Sequence, residues 1–429
     1  MMTKLLSFKP WSALLFMTAI LSTNMLGQIV SDSIMIPTYA ALLVLLFFLL
    51  AYMITDKVLF KKSISSFELL ILALCIVPIQ AGITAQLHFG QPWLYGFLSL
   101  RGFYFILWGL VVYYALLWNK VSLQSIEAIF LKASWFILVA YYTIYFISPN
   151  DQSISAIGHS EIKGDVMGTP TKLFTFAAIY YFVKLCKNLR LSDIISFLMF
   201  FSYLVFIRKG RTVILITLLA CIIFFIKHTT IPRKIVYFAM AIVTGLTIWL
   251  LILIISPHSF DFIAKMYAAA FTVVFTGEES QDASASARLY EASIAMEWIS
   301  RNPWFGNGNL SNQWHGGFEI FGHFYPSDIG IIGVVFIMGI LGTILVLSQF
   351  LYAYYISHHI SPEINSQPFI LACKFTLLAF FIQTAHALYF AGANMIFVAV
   401  LAYVYHSYPR VRHASNHLYI PLSIKSKST

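Results

Sequence analysis

The chain has 429 residues, of which 60% are hydrophobic and 10% are charged, and its mean hydropathy is +0.82. Because an average soluble domain has about 25% charged residues, this composition excludes an ordinary soluble enzyme and predicts an integral membrane protein. The formal net charge is +10, but the basic residues gather at the ends of apolar runs, so we expect no nucleic-acid partner.

Apolar runs long enough to cross about 30 Å of hydrocarbon as helices recur along the whole chain. We therefore predict an all-α integral membrane fold with about twelve transmembrane helices, the first of them retained rather than cleaved as a signal peptide. The spans are expected near residues 11–30, 34–54, 67–86, 98–118, 127–148, 171–187, 193–208, 211–227, 235–256, 327–350, 369–389 and 392–406. The four cysteines lie in or beside apolar segments, and we expect them to be free.

The chain divides into three regions: helices one to nine in residues 1–256, one large loop in 257–326, and helices ten to twelve with a tail in 327–429. Lys and Arg are concentrated in the loops on the side of the N-terminus. The positive-inside rule therefore predicts that both termini are cytoplasmic and that the large loop lies on the outer face.

The large loop is expected to be structured. An amphipathic helix is predicted from about Ser286 to Arg301, with Tyr290, Ile294 and Trp298 on one face. A tight turn rich in Gly and Asn follows the helix.

A basic turn, Arg208-Lys209-Gly210-Arg211, separates the seventh and eighth spans on the outer face, against the rule that basic residues stay inside. Arg presents a rigid fork of donors, and two or three together can hold a pyrophosphate. The turn therefore predicts an anion site. Two alternatives are snorkelling to outer-leaflet headgroups and a miscounted span.

Two further arginines are candidates for the same anion. Arg101 is the only cation near the outer start of the fourth span, where a structural role is equally plausible. Arg288 opens the amphipathic helix, whose N-terminus attracts anions, and has Glu291 at i+3. The i,i+4 pair of Glu297 and Arg301 is expected only to stabilise an exposed helix face.

His323 and Asp328 are titratable groups at the outer mouth of the tenth span, where a base could act on a hydroxyl. For Asp328, capping the N-terminus of the span is the rival role. The glycines within this span indicate close helix packing. Gln383 and His386 could line the same cavity or form an internal hydrogen-bonded pair. No part of the sequence has metal-ligand spacing.

Three features resemble the bacterial O-antigen ligase and O-antigen or capsule polymerase superfamily. They are the long late outer loop, the loop sequence SASARLYEASIAMEWISRNPWFGNGN, and the pair of segments RKGRT and HFYPSDIGIIG. In this sequence Phe324 follows His323, where ligases typically have a small polar residue. The polymerase is therefore favoured over the ligase.

The resemblance implies a C-type glycosyltransferase-like fold in the bacterial inner membrane, with a periplasmic active face. It implies that a glycan on undecaprenyl pyrophosphate is transferred to a sugar hydroxyl, without cofactor or metal, among membrane lipids and with a chain-length regulator as a further candidate partner. The implied pyrophosphate ligands are Arg208, Arg211, Arg101 and Arg288, and the implied catalytic groups are His323 and Asp328.

Other functions stay open. A ligase would pass the finished glycan to lipid A core or another acceptor. A flippase or transporter for lipid-linked sugars would also need many spans and cavity charges, but transporters often have repeats and broken helices in matching halves, and neither is predicted here. A structural scaffold would leave the basic turn unexplained.

Overall fold

The computed structural model describes residues 63–147, 157–160, 164–167, 171–208, 211–230, 283–322, 324–383 and 391–407, with isolated positions in 11–16 and 41–55 and residue 232. The predicted spans near 11–30, 34–54 and 235–256 fall largely or wholly outside these residues, as does the first part of the large loop.

The described residues are predominantly helical. The α-helices are α1 (Ser66–Phe89), α2 (Trp93–Ser99), α3 (Trp108–Leu117), α4 (Leu123–Ile147), α5 (Thr171–Lys187), α6 (Leu191–Ser202), α7 (Arg211–His228), α8 (Ala283–Arg301), α9 (Ile331–His359), α10 (Pro362–Asn365), α11 (Pro368–Gln383) and α12 (Ala391–Ser407). A 3-10 helix, Arg101–Leu107, joins α2 to α3, and a π-helix, Tyr203–Arg208, extends α6. Shorter 3-10 helices lie at Gly317–Phe321 and Pro326–Asp328.

The all-α class predicted from the sequence is confirmed, and the described residues add one short β-hairpin to the helices. Strands β1 (Ile157–Ser160) and β2 (Gly164–Met167) form a short antiparallel hairpin in the loop before α5. A hairpin satisfies its own backbone groups between its two strands, so a polar loop can form one without a helix.

Among the described residues, three helices are long and apolar enough to cross a membrane: Ser66–Phe89, Leu123–Thr143 and Ile331–His359. A fourth span would be the pair Trp93–Ser99 and Gly102–Leu117, which is bent by 49°. The shorter apolar helices are Leu191–Val205, Thr212–His228, Pro368–Ile382 and Asn394–Ser407. About a dozen spans therefore stays a prediction.

The helices pack into one apolar core. Helix α11 packs against α5, α7, α9 and α12, while α12 also packs against α3 and the 3-10 helix that precedes it. Aromatic rings fill these contacts. The ring centroid of Phe176 in α5 lies 6.0, 6.0 and 5.1 Å from those of Phe130, Phe369 and Phe397. All four cysteines are free, as the sequence predicts.

The bundle has two distinct ends. Helices α1 and α9 are antiparallel, because the Ser66 hydroxyl lies 3.0 Å from the Tyr352 hydroxyl while the Gln80 amide reaches the carbonyl of Met338. The C-terminal ends of α5, α7 and α9 line one cavity. The opposite end therefore carries the C-terminus of α1 and the N-termini of α5, α7 and α9. We call this the loop end, and the cavity side the lysine end.

Candidate functional site

Helix α8 is the first element of the large loop that the structure describes. It begins at Ala283, three residues before the predicted start, because the Ser-Ala repeat ahead of Arg288 continues the helix. The buried side of α8 passes through Glu291 and Ala295, whereas Tyr290 is 56% exposed. The face predicted through Tyr290 is therefore not the most buried face of α8. The carboxylate of Glu291, on the buried side, accepts a hydrogen bond from the backbone N–H of Tyr325 at 3.2 Å.

The segment after α8, residues 302–311, inserts into a break in α9. Gly339 interrupts that helix with φ 67° and ψ −179°. The freed backbone groups find partners in the inserted segment: the N–H groups of Ile340 and Leu341 donate to the carbonyls of Pro303 and Trp304 at 2.8 and 3.1 Å. Irregular backbone within an apolar bundle is stable only when its polar groups are paired inside the protein, and here the loop and the helix pair each other.

The tip of the inserted segment is hydrogen-bonded to α9 through Asn307 and, on its other side, to α1 through Asn309. The N–H of Asn307 donates to the carbonyl of Phe336 at 2.7 Å, and the N–H of Asn309 donates to the carbonyl of Ala81 at 3.2 Å. Gln80 of α1 donates to the carbonyls of Phe305 and Met338 at 2.7 and 2.9 Å, so one side-chain amide bridges the loop and the broken helix.

Gln91, at the end of α1, holds the next turn of the same segment. It is fully buried, donates to the carbonyl of Asn309 at 3.0 Å and accepts from the N–H of Ser311 at 2.8 Å. The Asn309 amide in turn donates to the hydroxyl of Ser99, at the end of α2. Hydrogen bonds thus connect the segment 302–311 to α1, α2 and α9.

Glycine is required at the points of closest approach. A Cβ on Gly308, whose φ is +88°, would lie 2.2 Å from the backbone nitrogen of Ala85, and one on Gly306 would lie 2.4 Å from that of Gly339. The prediction that the glycines of α9 allow close packing holds for Gly333, where a Cβ would meet the carbonyl oxygen of Pro326 at 1.7 Å. At Gly339 the glycine also breaks the helix, which the sequence analysis did not predict.

His323 lies outside the described residues, as does His386, and the side chain of Gln383 does too. The neighbours of His323 are described: Gly322 is exposed, and Phe324 is 1% exposed and packs on Phe336 with ring centroids 5.0 Å apart. The two neighbours of position 323 therefore lie in different environments. Gly322 faces solvent, and Phe324 is packed in the aromatic core of the loop end.

Asp328 is exposed and accepts a hydrogen bond from the Ser327 hydroxyl at 3.2 Å. The rival role as an N-cap is wrong for α9, which begins at Ile331 after an N-cap Gly330 without a side-chain cap hydrogen bond. The physical reason is that Asp328 already belongs to a separate 3-10 turn packed against α8 and α9. Its carboxylate is therefore not engaged in capping α9 and is open to solvent at the loop end.

Arg208 closes the π-helix and Arg211 begins α7, so the basic turn does separate two helices as predicted. The side chains of both residues, and all of Lys209 and Gly210, lie outside the described residues. The π-helix contacts β2 and α7, so the helix that ends at Arg208 packs beside the hairpin. Short π-helical segments are rare and are frequently found at functional sites.

Arg101 begins the 3-10 helix between α2 and α3, and its side chain lies outside the described part of the structure. Its backbone is two residues from Ser99, which bonds to Asn309 of the inserted segment. The structure therefore connects the turn of Arg101 to the large loop, a link that sequence spacing does not reveal.

Arg288 is exposed on α8, within the second turn rather than at the helix N-terminus. The anion attraction predicted for a helix N-terminus therefore does not apply to it. Glu297 and Arg301 form the predicted exposed pair at 2.5 Å, whereas Glu291 turns inward to the Tyr325 backbone instead of lying on the exposed face with Arg288.

The candidate residues share one end of the bundle in two groups. Helix α8 packs against the 3-10 turn that contains Asp328, while Arg208 and Arg211 flank the start of α7. Within the part of the chain that the structure describes, the main helix packings do not join these groups directly.

The sequence analysis missed the polar residues that position the loop, Gln80 and Gln91. The signal available in the sequence was an uncharged amide near the end of an apolar helix.

Comparison with known protein families gives a match. A family model described as O-antigen ligase matches residues 194–347, from α6 through the basic turn, α8 and the inserted segment into α9. The predicted resemblance to the O-antigen ligase and polymerase superfamily is confirmed. A search of curated proteins found no match.

Proposed function

We propose that this membrane protein is a glycosyltransferase that polymerises oligosaccharide repeat units carried on undecaprenyl pyrophosphate, at the periplasmic face of the bacterial inner membrane. The observation that carries the proposal is the O-antigen ligase match over residues 194–347, because that segment contains both the basic turn and the Asp328 turn. The helices that follow these two turns, α7 and α9, both begin at the loop end. An anion-binding group and a general base at one end of a bundle suit transfer from a lipid pyrophosphate.

In the proposed reaction the acceptor hydroxyl oxygen forms a bond to the anomeric carbon of the donor glycan. The bond between that carbon and the pyrophosphate oxygen breaks, and undecaprenyl pyrophosphate leaves with the electron pair. Arg208 and Arg211, assisted by Arg101, would stabilise the negative charge that grows on the leaving group. His323 or Asp328 would orient the acceptor hydroxyl and accept its proton.

The inserted segment 302–311 supplies the rigidity that this chemistry needs. It is bonded to α1, α2 and α9, so the turns that follow it start from a fixed frame. A general base must lie within hydrogen-bond reach of the proton it accepts, which a loop free to move would not ensure. Arg288, exposed on α8, would contact the donor from the side of the large loop.

A ligase is the second candidate, because the matching family model is described as O-antigen ligase. The donor and the chemistry would be the same, and the acceptor would be lipid A core. The two functions differ in what accumulates without the protein. Loss of a polymerase leaves single repeat units on the surface lipid, whereas loss of a ligase leaves long chains on undecaprenyl pyrophosphate.

Replacement of Arg211 by Ala is expected to reduce long-chain surface polysaccharide about 100-fold, since one donor to developing charge contributes that much to a rate. The measurement is a gel of cell-surface polysaccharide, compared with wild type and a deletion strain at matched membrane expression. Arg190→Ala is the control. Arg190 is exposed in the turn between α5 and α6, at the lysine end and therefore at the opposite end of the bundle from the basic turn. Normal chains with Arg211→Ala would exclude that residue from the site, and normal chains in the deletion strain would overturn the transferase.

A further inference from the structure

A cavity of about 990 Å³ opens at the lysine end of the bundle. The ends of α5, α7 and α9 form its walls together with α10 and most of α11. Helix α7 rises about 24 Å between Arg211 and Lys227, so the lysine rim of the cavity is about that far from the basic turn. The Asp328 turn precedes α9, and it is the other end of α9 that lines the cavity. It is therefore separate from the proposed transferase site.

The charged side chains that line the cavity are all basic. Its lining includes three lysines and two histidines, and no Asp or Glu is among the lining residues. These groups are Lys187, Lys227, Lys374, His228 and His358. Within the described residues no carboxylate forms an ion pair with any of the three lysines. The cavity is therefore electrostatically complementary to an anion.

Helix-end electrostatics explain only part of this arrangement. Lys187, Lys227 and His358 lie in last turns, where a cation complements the helix dipole. Lys374 lies in the second turn of α11, where the dipole gives no such benefit. Its ammonium group is nevertheless fixed by the carbonyl of Ser357 at 2.9 Å and by the Asn365 side-chain oxygen. The protein thus holds one cation inside the cavity in a set orientation.

The rest of the cavity is apolar and elongated. Leu371, Phe375, Leu378 and Phe381 line it along α11, over ten residues of helix or about 15 Å. Leu351 and Phe381 are also large exposed side chains, 60% and 40% accessible, so the apolar wall continues onto the outer surface of the bundle. A small free anion would gain nothing from such a wall.

We propose that this cavity binds an anionic membrane phospholipid, with its phosphate at Lys374, Lys187 and Lys227 and one acyl chain along α11. A cationic rim beside an apolar groove between membrane helices is the arrangement that recognises such headgroups. The Nδ1 of His358 donates to the carbonyl of Tyr354 at 2.8 Å, which leaves Nε2 of the neutral ring as an acceptor, so the phosphate contacts are assigned to the lysines. The site stabilises the lysine end and makes the protein dependent on anionic lipid.

The test uses the purified full-length protein in a neutral detergent, titrated with dioleoylphosphatidylglycerol and followed by native mass spectrometry. Dioleoylphosphatidylcholine has the same chains and no net charge. We expect retention of phosphatidylglycerol but not phosphatidylcholine. Lys374→Met and Lys227→Met should each weaken binding about fivefold, whereas Lys120→Met, an exposed loop lysine outside the cavity, should leave it unchanged.

Three results would overturn the proposal. Equal retention of phosphatidylcholine would mean that only the apolar wall binds. Displacement of phosphatidylglycerol by millimolar inorganic phosphate would identify a free-anion site, and tighter binding of a polyprenyl phosphate would identify the carrier lipid as the occupant.

Lys227 is exposed, so its replacement should not disturb folding. The test therefore stays decisive if Lys374→Met is unstable. Unchanged binding in Lys227→Met would count against the assigned rim.

Discussion

The inserted segment 302–311 and the aromatic interior around α5 are held in different ways. Residues of the segment make backbone and amide hydrogen bonds to α1 and α9, and close approach depends on glycines without side chains. The interior around Phe176 depends on the packing of apolar rings. In an apolar environment a missing hydrogen bond or an added atom is costly, while one apolar group can replace another. The segment should therefore tolerate substitution far less than the interior.

The largest expected effect comes from adding one methyl group to the inserted segment. Gly308→Ala puts a Cβ 2.2 Å from the Ala85 nitrogen at a φ of +88°, so the segment must separate from α1. We expect destabilisation of about 3 kcal/mol or more, with loss of most detergent-extracted folded protein. The measurement is thermal stability by fluorescence-detected size exclusion.

Gly90→Ala is the matched control for that change. Gly90 has a φ of +74°, but a Cβ there has open space around it. Only the backbone strain should remain, about 1 kcal/mol. Equal losses at the two positions would show that the close approach to α1 contributes nothing.

An intermediate effect is expected from Gln80→Leu. The substitution keeps the size of the side chain and removes the donor shared by the carbonyls of Phe305 and Met338. Leaving these acceptors without that donor should cost about 2 kcal/mol. Thermal stability measures the loss, and long-chain polysaccharide on a gel should fall with it, because the loop would no longer have a fixed position.

Gln349→Leu provides the comparison for Gln80. Gln349 is fully buried in α9, but its amide donates only to the carbonyl of Val346 in its own helix at 2.9 Å. Leucine at this position should be nearly neutral, since the carbonyl keeps its helical hydrogen bond. A loss as large as that of Gln80→Leu would contradict a special role for the bridge between the loop and the broken helix.

Among the test substitutions, leaving the two controls aside, the smallest effect is expected in the aromatic interior. Phe176→Leu reduces a fully buried ring to a smaller apolar group among Phe130, Phe369 and Phe397. The neighbouring rings can partly fill the space, so we expect a cost of about 1 kcal/mol and normal polysaccharide length. A larger loss than that of Gln80→Leu would reverse the comparison and make packing, rather than the polar contacts of the loop, the dominant constraint.

The broken helix also changes one argument about function. The sequence analysis predicted no broken helices and used that against a transporter, whereas α9 is interrupted at Gly339 and the span containing α2 and α3 is bent by 49°. The interruption lies beside the inserted segment and is satisfied by it, so it serves to fix a loop. The remaining argument against a transporter is the O-antigen ligase match.

Local pattern was sufficient for several elements. The apolar runs predict α1, α4 and α5 to within about four residues of their ends, because hydrophobicity over about 20 residues is a property of the segment alone. The end of α9 is the exception, because the helix continues to His359, beyond the predicted end at 350. The i,i+4 spacing of Glu297 and Arg301 likewise fixes their pairing, since both lie on one helix. Burial of Cys186, Cys221 and Cys373 follows from the apolar segments around them.

What the sequence by itself determined is the membrane class, the position of most helices, the resemblance to the O-antigen ligase and polymerase superfamily and the identity of the candidate residues. Only the tertiary structure decided that Gly339 breaks α9, that Glu291 faces inward, that Asp328 does not cap α9 and that the lysines of three helices meet in one cavity. Each of these depends on residues that are distant in the chain or on another helix. Hydrophobic periodicity describes one segment at a time and carries no information about which distant polar group will satisfy it.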